Sequence, residues 1–216
     1  MTATLDALVD AIKNRDAARL AALLGEDPGL VEAVTAEGMS PLVIAIYWRN
    51  PAAQEALLAA GAPYPAPLAA ARGDAARLAA LAGADPRSLA EWSADGWSPL
   101  HLAAHFGHAP ACLWLLRHGA DVRVRSRNGL ANLPCHAAAA GNHTAVVGLL
   151  LAAGTPPNEP QHGGWTLLHQ AAQHANRDMV ELLLAAGADP GQTNDEAKRA
   201  ADLVPSGQDV LRALLE

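Results

Sequence analysis

The sequence predicts an all-α solenoid of stacked helix–turn–helix units with atypical capping units at its ends. Three observations carry this reading. Ala fills roughly a quarter of the 216 residues, and aromatics make up only 4% against 51% hydrophobic types. Ala is the strongest helix former, so the chain is supplied for close helix packing and lacks the side-chain volume of one large enzyme-like core. Second, a shift of 58 residues superposes 16–25 on 74–83, Asp27-Pro28 on Asp85-Pro86, and 38–42 on 96–100. Third, a spacing of 35 and then 33 residues separates His101, His136 and His169, and likewise Gly119, Gly154 and Gly187. Units of this length bury little alone and must stack on their neighbours.

The N-terminal unit, 1–35, reads as a cap. It carries a helix pair over about 3–24 without the turn that opens the later units. Units follow at 36–63, 64–92, 93–125, 126–158 and 159–191. Each has a turn, a Ser/Thr-Pro-Leu-His or variant, an Ala-Ala pair, a second break, an apolar helix and a closing Gly. Ser98 and Thr166 suit the N-cap, where a side-chain oxygen takes a free helix N–H. Pro41, Pro99 and Pro134 suit the first helical position, where a missing N–H costs nothing. His three residues after the cap can bond back toward it. The Ala-Ala pair lets two helices approach closely, and Gly61, Gly119, Gly154 and Gly187 fit left-handed helix ends. The last unit, 192–216, holds two helical stretches within 197–215 and closes the stack as a C-terminal cap. Terminal units are expected to be atypical because one face meets water.

The run Asp95-Gly96-Trp97-Ser98-Pro99-Leu100-His101-Leu102-Ala103-Ala104 resembles the opening motif of ankyrin repeats. Leu115-Leu116-Arg117-His118-Gly119-Ala120-Asp121 and Leu183-Leu184-Ala185-Ala186-Gly187-Ala188-Asp189 resemble the closing one. The chain is thereby similar to an Ala-rich, bacterial-type ankyrin-repeat protein over nearly its whole length. The resemblance implies units joined by β-hairpin-like turns, curved so that turns and first helices line a concave, partner-contacting face. Departures are visible: Val43 and Pro67 stand where the motif has His, loops 25–38 and 83–96 are longer, and loop 119–132 carries a two-residue insertion.

Charge and composition exclude several functions. The balance of 15 Lys+Arg against 22 Asp+Glu gives a net charge of −7. This argues against nucleic acid, which wants a basic face. Cys112 and Cys135 are too few for a disulfide framework and read as buried free thiols. No secretion signal is expected at the N-terminus. Nor is there an apolar run of the roughly 20 residues that span a bilayer. A cytoplasmic monomer without membrane contact is expected. No nucleophile elbow, phosphate loop or dinucleotide fingerprint is present, so no enzyme, catalytic residue or cofactor is expected. The nine His do not compose a zinc set, since the repeat itself accounts for His101, His108, His136, His143 and His169. The hairpin Arg123-Val124-Arg125-Ser126-Arg127 reads as a solvated turn.

The aromatics point to function. By the resemblance, partners meet the residue after the hairpin Gly and the two residues after the Ala-Ala pair. The first position holds Met39, Trp97 and Trp165; the second holds Tyr47, Trp48, His105, Phe106, Gln173 and His174, with Asp95 beside them. Five of eight aromatics thus fall where the fold does not need them filled, and Trp and Tyr dominate interface hot spots. Trp92, Trp114 and Tyr64 read as structural. The expected function is non-enzymatic binding of a partner protein through the concave face. The alternatives are a small-ligand or metal site at His105 and His174, and a self-assembling structural scaffold.

Overall fold

The computed structural model describes residues 4–216. Residues 1–3, which open the 1–35 unit and include the expected start of its helix pair, lie outside the described residues. The helices come in pairs along the stack: α1 (Leu5–Lys13) with α2 (Ala17–Glu26), α3 (Pro41–Tyr47) with α4 (Pro51–Ala59), and α5 (Ala66–Ala71) with α6 (Ala75–Ala84). Then come α7 (Pro99–His105) with α8 (Ala109–Arg117), α9 (Pro134–Ala140) with α10 (Thr144–Ala152), and α11 (Leu167–Gln173) with α12 (Arg177–Ala185). A 3₁₀ turn, Ala200–Leu203, and the short α13 (Asp209–Ala213) close the stack. The only β-type pairing among the described residues is a single bridge between Thr193 and Arg199. The all-α solenoid is therefore the observed architecture.

The caps follow the local sequence. Ser40 and Ser98 accept the N–H of Val43 and His101, and Asn50, Asp74 and Asn176 do the same for the second helices. Pro41, Pro99 and Pro134 each occupy the first helical position. The N-caps of α8 and α10 are His108 and His143, whose side chains leave the cap unbonded. Their rings instead fill the space beside Gly73 and Gly107, where an added Cβ would come within 2.6 Å of them. The Ala pairs of the first helices, Ala69-Ala70, Ala103-Ala104, Ala138-Ala139 and Ala171-Ala172, are fully buried. Leu and Val of the second helices pack beneath them.

Two features depart from expectation. The helical stretch expected from 197 begins only at Ala200, because residues 194–198 form a hairpin closed by Asn194 N–H to Lys198 O at 2.9 Å. The core also divides. One cluster runs from α1 to α4 and takes Leu68 and Ala71 of α5 with Leu102 of α7, whereas Ala66, Ala69 and Ala70 of α5 belong to a second cluster reaching the C-terminus.

Candidate functional site

Hairpin turns project from the helix stack at 35–39, 93–97, 126–132, 161–165 and 194–198. Each is closed end to end by a backbone bond, the N–H of Thr35 to Met39 O, Ser93 to Trp97, Ser126 to Asn132, Gln161 to Trp165 and Asn194 to Lys198, at 2.9–3.0 Å. Adjacent turns are laced together. Arg127 N–H donates to Gly96 O at 2.8 Å, His162 N–H to Leu130 O at 2.9 Å, and Asp195 N–H to Gly163 O at 3.0 Å. The motif histidines add a strap below this row. Each Nδ1 turns back to the cap, on Ser98 Oγ at 2.8 Å, Leu133 N–H at 3.2 Å and Thr166 Oγ1 at 2.7 Å. Each Nε2 reaches forward to a carbonyl of the next unit: Asn132 at 2.9 Å, Glu159 at 2.9 Å and Lys198 at 3.0 Å. A carbonyl only accepts, so Nε2 carries the proton and Nδ1 accepts. Burial pushes His101 and His136 down to about 4, which keeps both neutral. The sequence showed the backward bond; the forward one depends on where the next turn lies.

Beside the row runs a chain of rings. Tyr47 meets Phe106 edge-on at 5.4 Å between centroids, Phe106 meets His105 at 5.0 Å, and His105 meets Trp97 at 5.5 Å. Trp97 in turn stands on His101 at 5.5 Å. These are the T-shaped arrangements that aromatic quadrupoles favour. Tyr47 Oη donates to Asp95 at 2.5 Å, and burial followed by that carboxylate raises its pKa. Asp95 accepts from Ser93 as well. Trp48 lies under Lys13, whose Nζ is 4.9 Å from the ring centroid. Trp165 leans on His169 at 5.8 Å.

The structure thus brings Tyr47, Asp95, Trp97, His105 and Phe106 into one cluster, with Met39 close by. Trp165, Gln173 and His174 lie further along the row. One expectation is corrected. Met39, Trp97 and Phe106 are not free of the fold: each is half-buried and packs on the core of the first four helices. His105 and Trp165 are half-buried too. The rings of neighbouring units supply a wall that one unit's sequence cannot show. Tyr47 and Trp48 are the exposed rings, at 36% and 45%, with Asp95, Gln173 and His174 also exposed.

His105 and His174 do not form one site, since α9 lies between their helices. Among the described residues no group of three or more His, Cys, Asp or Glu could hold a metal ion. Cys112 and Cys135 are buried free thiols, both pushed up to about 12 by burial. The basic hairpin is engaged rather than merely solvated: Arg125 pairs with Glu159, and Arg127 lies over Trp92 at 4.1 Å. A cleft of about 280 Å³ opens under Trp92, between Leu89, Leu115, His118 and Val124. Nothing in the sequence signalled that cleft.

An ankyrin repeat model matches residues 95–127, and a model for many copies of ankyrin repeats matches residues 135–184. With the fold, these matches identify the chain as an ankyrin-repeat protein. The human "Transient receptor potential cation channel subfamily A member 1" is 36% identical over 98 residues, 45% of this chain and 9% of that protein. The mouse "Ankyrin repeat and SOCS box protein 16" is 37% identical over 105 residues, 45% of this chain and 23% of that protein. The Drosophila melanogaster "Neurogenic locus Notch protein" is 41% identical over 95 residues, 44% of this chain and 3% of that protein. The chain spans less than a quarter of the length of each. Ankyrin repeats are general protein-interaction modules and generally not enzymatic. No helix among the described residues is long and apolar enough to cross a membrane.

Proposed function

We propose that the chain binds another protein, as a non-enzymatic cytoplasmic monomer, through the concave face built from its hairpin row and first-helix ends. The observation that carries this reading is the pair Tyr47 and Trp48, 36% and 45% exposed, with Tyr47 linked through Phe106 and His105 to Trp97. Large rings left open to water beside a rigid wall are typical of interface anchors. The half-buried rings serve as that wall, and Trp48, Trp165, Gln173 and His174 extend the contact along the row. A basic or apolar partner segment suits a chain of net charge −7. The two free buried thiols accord with a reducing compartment.

The test is the double variant Trp48→Ala/Trp165→Ala. It is expected to melt within a few degrees of the parent and to lose a partner that the parent captures and that cross-links to the concave face. Capture undiminished by the double variant would remove the concave-face reading.

A further inference from the structure

The row of turns has a gap. The third unit, 64–92, enters α5 directly through residues 61–65, so no hairpin stands between those at 35–39 and 93–97. Every later junction in the row is closed by a backbone bond, donated by the second residue of the following turn: Arg127, His162 and Asp195. Ala94 is the corresponding donor of the 93–97 turn, and its N–H has no partner among the described residues. On the opposite lip, the carbonyls of Glu37 and Gly38 have none either. The glycines report the same vacancy. A Cβ added at Gly96 would come 2.8 Å from Arg127, and one at Gly164 would come 2.7 Å from Asp195; at Gly38 it would meet nothing within 4 Å.

The gap is not a flat edge. Its lips and floor line one apolar slot, with Met39, Val43, Tyr47, Leu68, Ala71 and Leu102 between the two turns. Glu37 and Asp95 stand on opposite lips, and no Lys or Arg lines the slot. Tyr47 bonds to Asp95 across it, and the room left is about 30 Å³. Unpaired backbone groups on both sides of an extended gap are the template for strand addition.

We propose that this slot accepts an extended segment of a partner protein as a substitute hairpin strand, with an aliphatic side chain on Leu68 and a neighbouring Lys or Arg between Glu37 and Asp95. The segment's carbonyl accepts from Ala94 N–H, and its N–H donates to the Glu37 or Gly38 carbonyl. Two carboxylates with no lining cation select a basic-aliphatic segment over an acidic one. The inference rests on the concave-face reading and deepens it, naming the segment's chemistry and its place.

The probe is a phage-displayed library of random heptapeptides panned on the full chain, with amide resonances followed as a selected peptide is titrated in. Basic-aliphatic peptides are expected, with shifted resonances at Ala94 and Gly38 and slowed exchange at Ala94. Ala94→Pro, which removes a donor the fold does not use, is expected to weaken them about tenfold, the worth of one hydrogen bond. Trp165→Ala is expected to change affinity less than about twofold, since Trp165 lies outside the slot. Slowed exchange at Ala94 in the parent chain keeps the test decisive if Ala94→Pro fails to fold. Peptides that lose affinity with Trp165→Ala but shift neither Ala94 nor Gly38 would overturn the slot and leave the concave-face reading standing. Acidic selected peptides, no selected peptide, or self-association through the slot would overturn the slot proposal.

Discussion

His101 and His136 show how much one side chain does here. Each closes its own helix cap with Nδ1 and ties the next unit's turn with Nε2. Both functions require the neutral ring, and burial supplies it by lowering both to about 4 from the usual 6.5. The unfolded chain takes up these protons near pH 6.5, while the folded chain does not. Their contribution to stability is therefore full above pH 6.5 and lost as pH falls toward 4. At about 1.4 kcal/mol per pH unit for each ring, the two together cost about 2–3 kcal/mol per unit in that window. Urea melts at pH 7.5 and 5.0 check this. His101→Gln, which can still donate to Asn132 O, is expected to remove about half of that slope. An unchanged slope would show that His101 titrates normally. The rings of Tyr47 and Trp48 stand at the other pole: their packing is incomplete, and that incompleteness makes them available to a partner.

The first two hairpin turns each hold one glycine. Gly38 and Gly96 have φ of +78° and +76°, in the left-handed region that a Cβ makes unfavourable. Their surroundings differ, because Gly96 faces the backbone of Arg127 and Gly38 faces open space. Gly38→Ala is expected to cost about 1 kcal/mol, the conformational term alone. Gly96→Ala is expected to cost about 2–4 kcal/mol, since the Cβ also breaks the bond from Arg127 N–H to Gly96 O. Chemical denaturation of the two variants measures the difference. Equal losses would mean that no gap follows the first turn. The same contrast separates the two ends of the stack. The last hairpin is tied in by Asp195, which is why the helix expected from 197 starts later and tighter, as a 3₁₀ turn.

A stack of units holds together through nearest-neighbour interfaces, so its weakest interface sets how it comes apart. That interface is at α5, where the core divides and where the row of turns is interrupted. Leu68 of α5 is buried there, in the α1–α4 cluster. Leu68→Ala is expected to cost about 2–5 kcal/mol and to uncouple α1–α4 from α7–α12. Hydrogen exchange followed by mass spectrometry would then give two opening free energies for these blocks. A single cooperative opening in the variant would show that α5 and α6 couple the halves through other contacts. The break and the slot share a cause, since one missing hairpin removes both a rung of the row and part of the packing between units.

The architecture was legible because its determinants are short-range. Ser98 with Pro99 starts a helix, Gly119 ends one, and Ala103-Ala104 marks the face that stacks, all within a few residues along the chain. The repeat period then dictates stacking, because one unit cannot bury its own apolar face. The departures at Val43 and Pro67 were visible too, but their consequence was not. An open lip exists only where Ala94 and Glu37, 57 positions apart, face each other across a floor drawn from α3, α5 and α7. Ring exposure was decided in the same way. Trp48 and Phe106 occupy the same motif position, yet Phe106 is walled by Tyr47 and His105 while Trp48 keeps almost half its surface. The helices come from local bonding and period; the surface proposed for binding comes from distances between neighbouring units, which only the assembled stack fixes.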